Sequence, residues 1–181
     1  MLTVFPDQEN IVKEVTCISE GMYSGSLKYS HIYHVIAYDT NKRQIKVQNE
    51  NGSVRWYPEG CFAPGRKEVL KVARILSADS IEGSQVPSSE VTIELSDGQR
   101  RWCFFMTPDG LAQLDGEKRL VSACLIMYDA SHMIVLSKIS LQSIEEALSY
   151  IECQGKLLAC TRSLEELSLE LDGRYFDQAT S

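Results

Sequence analysis

Three histidines, six cysteines and a set of carboxylates towards the C-terminus are the residues here that could do chemistry, and their spacing decides what each could do. His31 and His34 stand three apart. On a helix that would offer two imidazoles to one metal ion, but the flanking alternation is that of a strand, where residues three apart face opposite ways. No metal site is read from them. His132 precedes an apolar run and reads as a turn residue rather than a base. Cys17, Cys61, Cys103, Cys124, Cys153 and Cys160 form no C-x-x-C or C-x-C pair, and most lie in apolar runs. They read as reduced, buried thiols acting as small hydrophobes. In Gly21-Met22-Tyr23-Ser24-Gly25 the serine falls one place late for a nucleophile elbow, and no helical pattern follows. Phosphate-binding G-x-x-x-x-G-K-[ST] and G-x-G-x-x-G loops are missing. Glu145 and Glu146 are adjacent, so on a helix they diverge and form no acid–base pair. The expectation is a protein without catalytic residues, metal or cofactor, one that binds rather than catalyses.

Charge sharpens that expectation. The chain has 181 residues and a net charge of −7, yet residues 1–66 carry seven basic and seven acidic side chains, so the whole excess lies beyond residue 66. From Ser140 onward, eight acids face only Lys156, Arg162 and Arg174. Such a surface repels nucleic acid and attracts basic partners. No run of apolar residues reaches the roughly 18 that a membrane span needs, and the N-terminus has no basic region before an apolar run, so a cytoplasmic protein is expected.

Positioning falls to elements that change character along the chain. Tyr33, Val35 and Ala37 alternate with His34, Ile36 and Tyr38; Ile45 and Val47 with Lys46 and Gln48; Val54 and Trp56 with Arg55 and Tyr57. These are strand periods, and Asn49-Glu50-Asn51-Gly52 supplies a tight turn between the last two. Pro58, Pro64 and Gly65 end this part. Beyond it, Val69 to Leu76 reads as a strand and Asp79 to Ser89 as a loop. Val91, Ile93 and Leu95 alternate cleanly before Asp97-Gly98 turns the chain into Arg101-Trp102-Cys103-Phe104-Phe105, a hairpin. Thr107-Pro108-Asp109 starts a short helix that should stop by Gly116. Leu120 to Tyr128 and Met133 to Ile139 read as buried strands. Leu141, Ile144, Leu148 and Ile151 then repeat at helical spacing, with Ser140 as cap and Gly155 after the last turn. Ser163-Leu164-Glu165-Glu166 has the capping-box spacing, and Leu164, Leu167 and Leu171 give a second helix ending at Gly173. G-x-x-R-W occurs twice, at Gly52–Trp56 and Gly98–Trp102, and reads as chance convergence of two hairpins.

The run Leu27 to Val35, the strand Ile45-Lys46-Val47-Gln48-Asn49, Gly52 and Trp56-Tyr57-Pro58 ending at Phe62 together resemble a bacterial SH3-like barrel. The resemblance spans residues 27–62 and implies a fold rather than an activity. The expected architecture is α+β: an SH3-like barrel over 1–65, then an α+β domain over 66–181 with a hairpin, further strands and two C-terminal helices.

The expected function is non-enzymatic binding of a basic protein, as by a small bacterial immunity protein (antitoxin) that neutralises a basic toxin. Glu145, Glu146, Glu152, Glu165, Glu166 and Glu170 are the candidate contacts, with Tyr150, Tyr175 and Phe176 as aromatic anchors. The same glutamates would also serve solubility alone. A structural or adaptor protein of a phage or secretion assembly would instead use the barrel surface, at Tyr38, Arg55 and Tyr57. A nucleic-acid-binding barrel is the third reading, since Tyr33, Tyr38, Trp56 and Tyr57 lie among Lys42, Arg43, Lys46 and Arg55.

Overall fold

The computed structural model describes residues 13–79, 86–118 and 132–165. The chain divides into two compact units, one formed by residues 1–69 with Ile151–Gly155, the other by Leu70–Tyr150 and Lys156–Ser181. Two mostly antiparallel sheets and a few helices make the protein α+β.

In the first unit, Glu14–Cys17 (β1), Ile32–Asp39 (β2), Gln44–Gln48 (β3), Val54–Pro58 (β4) and Phe62–Pro64 (β5) form one sheet in the order β4-β3-β2-β1-β5. All its pairs are antiparallel. The path is open: among the described residues no pair joins β4 to β5, and the five strands form an open sheet. β1 and β5 were not foreseen, being too short to show a period. The β3–β4 turn matches its sequence. Gly52 takes φ +75°, and the buried Asn49 accepts the Asn51 and Ser53 amides on Oδ1 at 3.1 and 2.9 Å. Its Nδ2 donates to the Tyr57 hydroxyl at 2.8 Å, tying the turn to the core.

That core is Val15, Leu27, Tyr33, Val47, Tyr57 and Phe62 with their neighbours, the three aromatic rings meeting edge to face. On β4 Val54 and Trp56 lie outside, and Tyr57 fills the interior. Ile151–Gly155 joins this unit through the Glu20 amide, which donates to the Cys153 carbonyl at 2.8 Å. Gly155 is required there. It has φ +66°, and a Cβ would stand 2.3 Å from the Ile18 carbonyl oxygen.

The second unit contains Val72–Ala78 (β6), Ser88–Leu95 (β7), Arg100–Met106 (β8), Met133–Val135 (β9) and Arg162–Ser163 (β10), in the order β10-β8-β7-β6, with β9 parallel to β8. The β7–β8 hairpin follows its sequence: Gly98 has φ +85°, and Val91, Ile93 and Leu95 are buried in alternation. β6 lies later than expected, and β7 takes residues from Ser88 that were read as loop. β9 is shorter than the expected Met133–Ile139 strand.

Pro108–Lys118 (α1) starts as expected, the Thr107 hydroxyl accepting the Gly110 amide at 3.1 Å, but runs past Gly116. Leu141–Cys153 (α2) is capped by Ser140, whose hydroxyl accepts the Ser143 amide at 3.2 Å while the Ser143 hydroxyl accepts the Ser140 amide at 2.9 Å. Ile144, Leu148 and Ile151 are buried, but Leu141 is half exposed. A short helix at Leu157–Cys160 (α3) was not foreseen. Leu164 and Glu165 begin the expected second helix; Leu167, Leu171 and Gly173 lie outside the described residues, as does the Leu120 to Tyr128 strand. Among the described residues no helix is long and apolar enough to cross a membrane.

Candidate interaction surfaces

The titratable side chains are placed for structure before chemistry. His31 Nδ1 lies 2.9 Å from Glu50 Oε1, and His34 Nδ1 lies 3.7 Å from Glu14 Oε1, so each imidazole faces a different carboxylate. The Tyr33 hydroxyl also donates to Glu50 Oε1, while its oxygen accepts the Lys28 amide at 2.8 Å. The Tyr33 bond, followed by that from His31, holds the Glu50 carboxyl below the usual carboxylate range. Burial, and then Glu50, pushes the Tyr33 phenol far up. Because the Glu50 amide also donates to the Ser26 carbonyl at 3.1 Å, this network fastens the β3–β4 turn to the loop before β2. Burial pushes the Cys17 and Cys103 thiols up to about 12, which keeps them protonated and unreactive. Among the described residues no His, Cys, Asp and Glu cluster could hold a metal ion.

Among the described residues, two exposed surfaces carry the expected contacts. The first is α2. Its buried residues set the phase of the helix, and Gln142, Glu145, Glu146, Ser149 and Tyr150 therefore share the exposed stripe. Gln142 Nε2 donates to Glu146 Oε1 at 2.9 Å, one turn along. Tyr150 is 67% exposed, an aromatic ring presented to solvent beside two carboxylates on a helix with no basic residue.

Glu152, two residues on, belongs to the first unit and is half-buried. Burial first, then its carboxylate, pushes the Tyr29 phenol up to about 12. Glu165 is exposed in the second unit, just beyond β10. Glu166, Glu170, Tyr175 and Phe176 lie outside the described residues. Among the described residues, then, Glu145 and Glu146 are the expected acidic contacts brought together with an aromatic anchor.

The second surface is the β2–β3–β4 sheet. Register puts Tyr38, Ile45 and Tyr57 in one cross-strand row and Val35, Val47 and Arg55 in the next. All six side chains thus share the core face. Tyr57 is 2% exposed, which corrects its reading as a surface contact: it is core. Tyr38 is half-buried against that core, and Arg55 reaches solvent because β4 is the last strand of the sheet.

The opposite face carries Lys46 and Trp56, which the sequence offered only as contacts of a nucleic-acid-binding barrel. Lys46 and Trp56 are cross-strand partners, the Lys46 Nζ 5.6 Å from the indole centroid, and Trp56 and Val54 are 40% and 47% exposed. The sequence holds apolar side chains at both parities of β4, so alternation alone could not say which parity faces out. Compared with protein-family models, curated proteins and solved structures, the chain matches none.

Proposed function

We propose that this is a non-enzymatic protein-binding protein whose helix α2 docks onto a basic protein partner, acting in the manner of a cytoplasmic bacterial immunity protein that covers a toxin. The observation that carries this reading is the solvent-facing stripe of Glu145, Glu146 and Tyr150 on a helix without a single cation. Carboxylates at that density speed encounter with a basic surface and reject acidic ones, while an exposed tyrosine supplies the contact area that charge alone lacks.

The SH3-like reading of the first unit is part of the same proposal. It is supported by the strand order β4-β3-β2-β1-β5 and by the 3-10 turn Glu59–Cys61 between β4 and β5. A second reading, an adaptor working through this sheet, is favoured by the exposed Trp56 with Lys46 over its ring.

The test is affinity capture with the tagged chain at low and high salt, run beside Glu145→Lys/Glu146→Lys and Tyr150→Ala. A basic partner held by the wild type, released by salt and lost from both variants supports the reading. Retention unchanged by the charge reversal overturns it.

A further inference from the structure

Successive residues of a strand point to opposite faces, so a strand lying on a core alternates between covered and open, as β3 does. β4 does not alternate. Ser53, Val54, Arg55 and Trp56 are all exposed, and only at Tyr57 does the strand become buried. Among the described residues neither face of β4 is covered over this stretch, and β3 is its single neighbour in the sheet.

The hydrogen-bond phase shows which backbone groups face outward. At one end of the β3–β4 ladder the Asn49 amide donates to the Ser53 carbonyl at 2.9 Å, and at the other the Glu59 amide donates to the Arg43 carbonyl at 2.9 Å. Bonded pairs alternate in an antiparallel ladder, so Val47–Arg55 and Ile45–Tyr57 are also bonded pairs. The amides and carbonyls of Val54 and Trp56 therefore point away from β3, along the open edge. Pro58, which has no N–H, ends the edge on that side.

Charge at this edge is uncompensated among the described residues. Lys42 and Arg43 are engaged by Asp39 and Glu59. Among the described residues neither Lys46 nor Arg55 has an ion pair; Lys46 sits over Trp56, and Arg55 stands in solvent on the other face.

The geometry points to the β4 edge as a docking site for an extended, acidic segment of a partner protein, which adds to the sheet as a short antiparallel strand. Its residues opposite Val54 and Trp56 are apolar and lie on the Trp56 face; its intervening residues carry carboxylates on the Arg55 face. This docking does not depend on the one proposed for α2. A second copy of this chain is a poorer occupant, because self-pairing centred on Arg55 would set the two Arg55 side chains against each other. Single-stranded nucleic acid is also poorer. One exposed ring, already topped by Lys46, offers little stacking, whereas the open backbone has no use for a phosphate chain.

The experiment titrates the full chain with a synthetic peptide of alternating aspartate and valine, following backbone amide resonances. Opposed residues share a face, so the valine amides bond to β4 and the aspartate amides point away. N-methylation of the valine amides should therefore weaken binding about tenfold, while N-methylation of the aspartate amides should leave it unchanged. The Val54 and Trp56 amide resonances should shift. Arg55→Glu should weaken binding about tenfold, and Val54→Pro, which removes an outward N–H and no bond to β3, should act as valine methylation does. Absence of saturable binding, equal losses from the two methylation patterns, shifts that map away from β4, or binding of oligothymidylate in place of the peptide would overturn the proposal.

Discussion

The motif G-x-x-R-W occurs in both hairpins, and the two copies end in opposite environments. Each begins on a glycine at positive φ, Gly52 at +75° and Gly98 at +85°, where a Cβ would meet no more than Gln48 Nε2 at 3.9 Å at the former and nothing within 4 Å at the latter. From there they diverge. Arg55 and Trp56 lie on β4, which has one neighbour among the described residues, and both are exposed. Arg101 and Trp102 lie on β8, paired with β7 on one side and β10 on the other. Arg101 is only 9% exposed; its Nε donates to the Thr161 hydroxyl at 2.7 Å, and its Nη2 donates to the carbonyls of Leu158 and Thr161. Trp102 stacks on Phe104 and donates to Glu90 Oε2 at 3.3 Å. The same guanidinium is thus a solvated edge charge in one hairpin and a buried clamp on the segment after α3 in the other. A strand's neighbours, rather than its own residues, decide whether a side chain stabilises the fold or remains available to a partner.

The largest effect that tests this contrast comes from the arginines. Arg101→Met leaves the Leu158 and Thr161 carbonyls without their donor and should destabilise the second unit by about 3 kcal/mol, whereas Arg55→Met should change stability by no more than about 0.5 kcal/mol. Urea unfolding of both variants measures this, and equal losses would erase the distinction.

The turns should behave alike. Gly52→Ala and Gly98→Ala each force a Cβ into the left-handed region without a clash, so each should cost about 1–2 kcal/mol by the same measurement. A large inequality would mean that the hairpins differ in their turns as well as in their surroundings.

The smallest effect is one of pH. Glu50 ties the first turn to Tyr33 and His31, while in the second turn Asp97 only accepts the Gln99 amide locally. A carboxyl whose folded pKa is depressed contributes stability that is complete above its unfolded pKa and is lost as pH falls through the folded value. Glu50→Gln should therefore lower the unfolding midpoint at neutral pH, and the gap to wild type should close below the usual carboxylate range. Glu14, held low by its bond from Arg66, titrates in both proteins and cancels in the difference. A gap that persists in acid would show that Glu50 acts through something other than its charge.

What could be read from the residues was local, and it was read best where one short segment holds all the information. Asn49 to Gly52 and Asp97-Gly98 make their turns from their own side chains and φ preferences. Thr107 and Ser140 cap helices with their own hydroxyls, and the acidic stripe of α2 follows from helical phase once Ile144 and Leu148 are buried. The open edge of β4, the burial of Tyr57 and Arg101, and the pairing of β1 with β5 depend on residues distant in the chain: Cys17 meets Phe62, and Arg101 meets Thr161. Gly155 is the clearest case. Its place after α2 was legible as a helix stop, but that it must be glycine against the Ile18 carbonyl follows only from the return of Ile151–Gly155 to the first unit. Local dihedral preference and periodicity are written in neighbouring residues, whereas burial is a property of whatever packs from elsewhere, and so only the tertiary structure decided which surfaces this protein leaves open.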